Sequence, residues 1–364
     1  MRRERNKANP RPAVPKTWEE TLNIPDNFAS TADGGEFLQL ASWVDDEESG
    51  TILLFMSNNG AEVLRTCRAW SVDGTFSSCP SPFQQVVILQ GHLDCGRSVP
   101  AAFALLPSKA EYVYSMYWNG VKNKVGNNIA AKQLLCDFER ANINAFTELF
   151  PEIEVNGCEF HFRKAIFTHV QKKKLVDLYH QASDFQFFIS MVYTLAYVPP
   201  EDIIKVYEDV ILDYLDSCSE LWPDWSDEIG DLVTYLDRTW IGERPMTRNR
   251  GRKNPLFAHA LWNKWSDVSN DSPTTNNSHE AFNKQFTLST ETNASLWTVL
   301  SAFNREDCLA RKTLVDAASG ANNTTRAVNI RQKDSRQRIK SMTEMYHGMS
   351  NKEFVKSMAG ILTK

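Results

Sequence analysis

No stretch of this chain approaches the roughly 18 consecutive apolar residues that a membrane-spanning helix requires, so no membrane association is expected. Cysteine is sparse and unpatterned, with seven residues among 364 and no CxxC pair. An odd, scattered set excludes a secretory disulfide framework and points to a reducing compartment and mostly buried free thiols. Positive charge is not in excess either. A net charge of −5 and a pI near 5.9 exclude a protein whose whole surface is built to hold nucleic acid. A local basic patch stays possible, because counterion release depends on the charges at an interface and not on their sum. Arg2, Arg3, Arg5 and Lys7 open the chain, but no apolar h-region follows them, so no signal peptide is expected. There is no internal repeat. What the chain does have is core-forming material: 42% hydrophobic and 11% aromatic residues exclude global disorder. Its length admits one large domain with an insertion, or two domains.

The pattern changes along the chain. Residues 1–35, led by a basic, Pro-rich stretch to Lys16, read as a flexible arm. From residue 36 to 182 short apolar runs bounded by Gly, Asn, Ser or Pro alternate with helical segments. Ala69–Val72, Gln85–Leu89, Ala101–Leu106, Gln133–Cys136 and a short strand from Glu154 give five strands. Glu111–Val125 and Glu139–Phe150 read as helices, and a further helix runs to about Gln181. Leu53–Met56 is left outside the main sheet. The expectation is an α/β fold with a mixed five-stranded sheet flanked by helices. Residues 183–270 read as an all-α insertion. Within it Glu201–Ser217 carries Ile203, Val206, Tyr207, Val210, Ile211, Tyr214 and Leu215 near helical spacing. Between Glu201 and Trp240 stand 12 acidic and 2 basic side chains. The sign then reverses at Arg244, Arg248, Arg250, Arg252 and Lys253, a cluster suited to tethering phosphates without reading sequence. Lys172–Lys174 and the N-terminal arm are further candidates for such contacts. Residues 271–320 return to the sheet domain as helix, and 321–364 form a basic C-terminal helix or tail.

Three acids stand out by position. Asp73 in AWSVDGTF and Asp137 in LLCDFERA each end an apolar strand, and Glu280 in TNNSHEAF lies near the start of a helix. A carboxylate at the carboxyl end of a strand faces the crevice where open α/β sheets bind ligands. Two aspartates and a glutamate that converge supply hard oxygen ligands for Mg²⁺ or Mn²⁺. Two such ions can serve the attacking and leaving oxygens of a phosphoryl transfer. Taken singly, an Asp at a strand end is more often a turn or cap residue. Glu139 suits the start of the helix that follows Asp137, and Trp70 suits the core.

The ordered set VDGTF, Pro80, FQQVVILQG, FALLP, DFERA, NGCEFHFRKAI, YVPPED, WIG, WN and TNNSHE resembles the Mutator-like element (MULE) transposases, over about Phe37 to Leu309. The resemblance implies a ribonuclease-H-like sheet interrupted by a helical insertion before the third acid. It implies that Asp73, Asp137 and Glu280 form the DDE triad and hold two divalent ions. The implied activity is cleavage and strand transfer of transposon-end and target double-stranded DNA, in the nucleus, by a homo-oligomer. The family's Cys-x-x-His signature falls on Cys158 and His161, as supporting residues near the site. A zinc site there would need two more ligands, for which only the HxxC pair His92 and Cys95 offers itself. One position departs from the family pattern: Asn283 stands where a His often follows the glutamate by three residues. His279 precedes Glu280 directly and lies on a different face of the helix. No CxxC…HxH array of the kind that recognises terminal repeats is present. That absence and Asn283 motivate the alternative expectation, a domesticated, non-catalytic DNA-binding or regulatory protein.

Overall fold

A computed structural model describes residues 12–45, 50–245, 251–270, 277–290, 294–319 and 330–363; the side chains of residues 219, 277, 278, 280 and 330–333 lie outside that description. The chain divides into two compact bodies, Met1–Val155 with Asn276–Asn323, and Asn156–Thr275 with Thr324–Lys364. The strands are β1 (Leu38–Val44), β2 (Gly50–Phe55), β3 (Ala69–Thr75), β4 (Gln85–His92), β5 (Ser98–Leu106), β6 (Gln133–Cys136) and β7 (Glu154–Gly157). The helices that matter below are α1 (Glu111–Val125), α2 (Arg140–Leu149), α3 (Glu159–Lys172), α4 (Ser183–Thr194), α5 (Asn277–Thr290), α6 (Leu296–Ala318) and α7 (Asn351–Leu362).

The sheet is seven-stranded and mixed, in the order β1-β2-β5-β4-β3-β6-β7. β3, β4 and β5 form an antiparallel meander, and β6 returns parallel to β3. This arrangement is consistent with a ribonuclease-H-like core, extended by β2 and β1 beyond β5. The central strands are apolar at nearly every position because both faces are covered. Successive side chains alternate between faces. One face places Ile52, Leu54, Val72, Val87, Leu89 and Ala104 against Tyr117, Trp118 and Val121 of α1 and Phe146 of α2. The other places Leu53, Phe55, Val86, Ile88, Phe103 and Leu105 against Phe286 of α5 and Trp297, Leu300 and Phe303 of α6. Phe303 stacks on Phe103 with ring centroids 4.8 Å apart.

Several expectations change here. The sheet has seven strands and not five, and the Leu53–Met56 run largely belongs to it: β2 is buried along its whole length between β1 and β5. The described part of the N-terminal arm is packed. Trp18 meets Phe83 edge-on at 5.2 Å, Phe28 stacks on Trp297 at 5.1 Å, and the Ala13 carbonyl accepts the Trp297 indole N–H at 3.0 Å. Aromatic side chains as large as these bind an arm down even when its flanks are polar.

The second body is helical. Phe162 of α3 stacks on Trp262 and meets Trp240 edge-on, both at 4.9 Å. Asn263 donates its side-chain amide to the Val198 carbonyl at 2.7 Å. Gly242 sits at φ +107, and a Cβ there would lie 2.1 Å from the Lys253 carbonyl oxygen. The words YVPPED, WIG and WN are therefore packing and turn residues of this body. The amphipathic run that begins at Ile203 is helical through Cys218, with a π-helical stretch at Tyr207–Leu212. The body begins at residue 156, well before the expected break after 182. Residues 324–364 belong to it as well and are not a separate tail: α7 buries Phe354, Val355, Met358 and Ala359 and packs on α4.

Candidate active site

The two aspartates reach one place by strand register. β3 and β6 pair in parallel with Ala69, Trp70 and Ser71 level with Gln133, Leu134 and Leu135. Carried two residues further, that register sets Asp73 level with Asp137 on strands about 4.8 Å apart. In β3 the pattern alternates: Trp70 and Val72 face the α1–α2 core, while Ser71 and Asp73 take the opposite side. Asp73 and Asp137 line the same small cavity of about 20 Å³, together with Gly74, Phe76, Gln85, Lys109, Tyr114 and Asn142. A cavity of that size holds about one water-sized particle.

The slot is built from oriented groups. Asp73 is 9% exposed; its Oδ1 accepts the Gly74 N–H at 3.0 Å, and its Oδ2 accepts the Asn283 side-chain amide at 2.9 Å. Asp137 Oδ1 accepts the Glu139 N–H at 3.2 Å, so this carboxylate also steadies the start of α2. Gln85 donates to the Tyr114 hydroxyl at 2.9 Å, and Asn142 accepts the Trp118 indole N–H at 2.8 Å. Burial, and then the charges of Asp137 and Glu139, push the Tyr114 hydroxyl well above the usual tyrosine range. It therefore stays a neutral donor beside the acids. A side chain at Gly74 would crowd Gln85, since a Cβ would lie 3.0 Å from its Oε1. Lys109 brings a cation to the slot and pairs with Glu139 at 2.8 Å.

Glu280 lies in α5, and its side chain falls outside the described residues. Its neighbours tie that stretch of helix to β3. His279, fully buried, shares a hydrogen bond with Ser71 Oγ at 2.8 Å, and Asn283 donates to Asp73. Sequence reasoning treated His279 and Asn283 as a departure from the family pattern and missed this anchoring. Ser71 Oγ also meets His92 Nε2 at 2.7 Å, and His92 Nδ1 meets Ser98 Oγ at 3.0 Å. Both nitrogens of His92 are therefore used inside the sheet body, and burial lowers its pKa to about 4. This engagement removes the zinc reading's third ligand. Among the described residues no three His, Cys, Asp or Glu side chains gather as a metal site.

Cys158 and His161 lie in the helical body. Cys158 is buried at the start of α3, and the half-buried His161 ring meets Phe160 edge-on at 5.5 Å. Between them Glu159, 6% exposed, is paired with Arg163 and accepts the Tyr197 hydroxyl at 3.0 Å. That buried clamp was not foreseen.

The cation cluster is largely matched by the acidic block that precedes it. Arg244 pairs with Glu208 at 2.9 Å, and Lys253 with Glu243 at 3.0 Å. Arg252, only 6% exposed, bridges Glu208 at 2.8 Å and Asp237 at 3.0 Å. Arg252 is thus an internal brace of the helical body, not a solvent-facing phosphate contact. Arg248 and Arg250 lie outside the described residues. In the Lys172–Lys174 stretch, Lys173 pairs with Asp231 at 2.7 Å.

A mixed sheet of this topology, with two aspartates level on neighbouring interior strands, defines an α/β protein with paired carboxylates at one place in the sheet. The family model that matches is the MULE transposase domain, over residues 69–165, from β3 into α3. The match is a similarity of that segment, well under half of the chain, to the transposase domain. It includes Asp73, Asp137, Cys158 and His161, and it ends before Glu280. A comparison with curated proteins gave no match. Among the described residues no helix is long and apolar enough to cross a membrane.

Proposed function

We propose that this chain is a DDE-type transposase that cleaves DNA at the ends of a Mutator-like element and joins them to a target, with Asp73, Asp137 and Glu280 as its acids. The observation that carries this reading is the slot shared by Asp73 and Asp137 inside the family-matched segment. Carboxylate oxygens are the donors that Mg²⁺ or Mn²⁺ takes, so the chemistry of the donor set fits such ions, and these two aspartates and Glu280 would hold them. When bound, the ions supply activation of an attacking oxygen and charge stabilisation at the leaving one. The chain's own groups orient the acids. The Gly74 N–H and the Asn283 amide set the Asp73 carboxylate, and the Glu139 N–H sets that of Asp137. Tyr114 keeps its proton and can donate to a phosphate oxygen at the slot. Arg244 and Lys253, with side chains 60% and 67% exposed, are the described cations of their cluster that can turn to DNA. Action on paired ends calls for a homo-oligomer, and a chromosomal substrate for a nuclear location.

The second reading is a transposase-derived DNA-binding protein without catalysis. One observation favours it: Asn283 occupies an Asp73 oxygen that a metal ion would need. Mn²⁺-supported nicking and strand transfer on terminal-repeat DNA separates the two. We expect Asp137→Ala to lose more than about a hundredfold in turnover, beyond what loss of a supporting residue costs. Equal turnover by Asp137→Ala would sink the catalytic reading. DNA binding by the wild type without nicking in either ion would establish the second.

A further inference from the structure

The catalytic reading leaves one feature of the sheet body unused. Phe76, the last residue of DGTF, is 56% exposed, although Trp70, Val72 and Asp73 behind it on β3 are buried. Single exposed apolar residues need no explanation. This one lines the Asp73–Asp137 slot, and Lys109 braces its ring with the ammonium 4.9 Å from the centroid. Beside it runs a second groove of about 310 Å³, lined by Thr75, Ser77, Asn283, Lys284, Thr287 and Leu288. Its surface is largely apolar, but Thr75, Ser77 and Thr287 bring hydroxyls to it. Thr75 Oγ1 and Ser77 Oγ lie 3.3 Å apart, Ser77 Oγ meets Thr287 Oγ1 at 3.0 Å, and Ser78 donates to Thr287 at 2.8 Å. Lys284 is exposed at its rim, and Leu288 is 76% exposed. Asn283 belongs to this groove and to Asp73 at once, so the groove leads directly to the acids.

We infer that this groove seats a single, unpaired DNA strand next to the scissile phosphate, with a base stacked on Phe76. The inference rests on the DNA-processing reading above and adds the form in which the strand is held. Hydroxyls and a lysine are groups that bind a phosphodiester backbone. An exposed ring beside a cationic rim is the platform on which unpaired bases stack, whatever their sequence. The volume falls at the lower end of small-ligand pockets, roughly 300–1,000 Å³, which suits about one nucleotide and is far too small for a duplex. A strand seated here enters unpaired, and stacking on Phe76 offsets the stacking it loses.

The test reads binding without catalysis. The full chain is titrated in chelating buffer with blunt duplex DNA and with the same duplex carrying a short 3′ overhang that contains 2-aminopurine. The wild type should bind the overhang more tightly and quench its fluorescence. Phe76→Ala should bind the overhang about tenfold more weakly and lose the quench, while Phe76→Trp retains both. Lys284→Gln should lower the salt dependence of overhang binding by about one phosphate contact. Phe76 and Lys284 are both exposed, so these variants leave the core intact. No overhang preference in the wild type, or a Phe76→Ala protein that binds and quenches like it, would overturn the inference. Tighter binding of an RNA overhang than of a DNA one would overturn the assignment to DNA. Should Asp137→Ala retain nicking while Phe76→Ala loses overhang binding, the catalytic reading fails and the strand seat stands.

Discussion

Two sets of carboxylates, one in each body, are held in different ways. In the helical body, acids sit beside arginines: Glu159 with Arg163, and Glu208 and Asp237 with Arg252. In the sheet body, Asp73 and Asp137 share a slot and are oriented by backbone and amide N–H groups. Acids that carry their own counter-charge hold structure together. Acids gathered against one another suit a chemical use, the one proposed above. The family words divide along the same line. VDGTF and DFERA bring acids to one place, whereas WIG and WN build an aromatic core and a glycine turn.

The comparison is open to three tests beyond those above. The largest effect is expected at Arg252. If it is a brace, Arg252→Met takes the arginine from Asp237, leaves Glu208 to Arg244 alone, and costs about 3 kcal/mol in urea unfolding. DNA affinity at fixed salt should then be unchanged where the protein remains folded. A variant of unaltered stability whose salt dependence of DNA binding falls by about one contact would instead make Arg252 a DNA residue.

The second effect concerns acid. Burial lowers the His92 pKa to about 4, so the folded protein resists a proton that the unfolded chain accepts near 6.5. The unfolded state therefore binds more protons between these values, and stability falls as pH drops from about 6.5 towards 4. Above 6.5 the contribution is constant, and below 4 the slope vanishes. The loss amounts to about 3 kcal/mol over that window. His92→Gln should flatten that part of the stability–pH curve. An unchanged slope would place the proton elsewhere.

The smallest effect is expected at His279, which touches Ser71 and not the slot. As a positioning residue it fixes the start of α5 on β3, so His279→Ala should lower kcat about tenfold with little change in KM. His279→Gln, which can still bond Ser71, should recover part of that loss. Equal loss in both variants, or a change confined to KM, would show that the anchor does not serve the acids.

The placement of both aspartates on apolar strands was legible before any coordinates. Asp137 directly follows the last residue of β6, as the local pattern predicts, whereas β3 continues two residues past Asp73, paired with β4 through Thr75. Gln133–Cys136 and Glu111–Val125 were read with the boundaries they have. The edge of the sheet was harder. β1, LQLASWV, mixes polar and apolar residues and is mostly half-buried, so it looks like a loop. β2 is unmistakably apolar, but its place beside β5 depends on a partner some fifty residues away. The Ser71–His279 and Asp73–Asn283 bonds join residues more than two hundred positions apart, and no periodicity encodes them.

By itself the sequence determined which residues are acidic, where apolar runs lie, and which ordered words resemble those of transposases. These are local properties, set by side-chain chemistry and by backbone preferences over a few residues. Tertiary structure alone decided that Asp73 and Asp137 stand level, that Arg252 is consumed inside a helical body, and that His279 fastens α5 to the sheet. Each of these is a matter of register or packing between distant segments, whose energy exists only once both partners have been brought together.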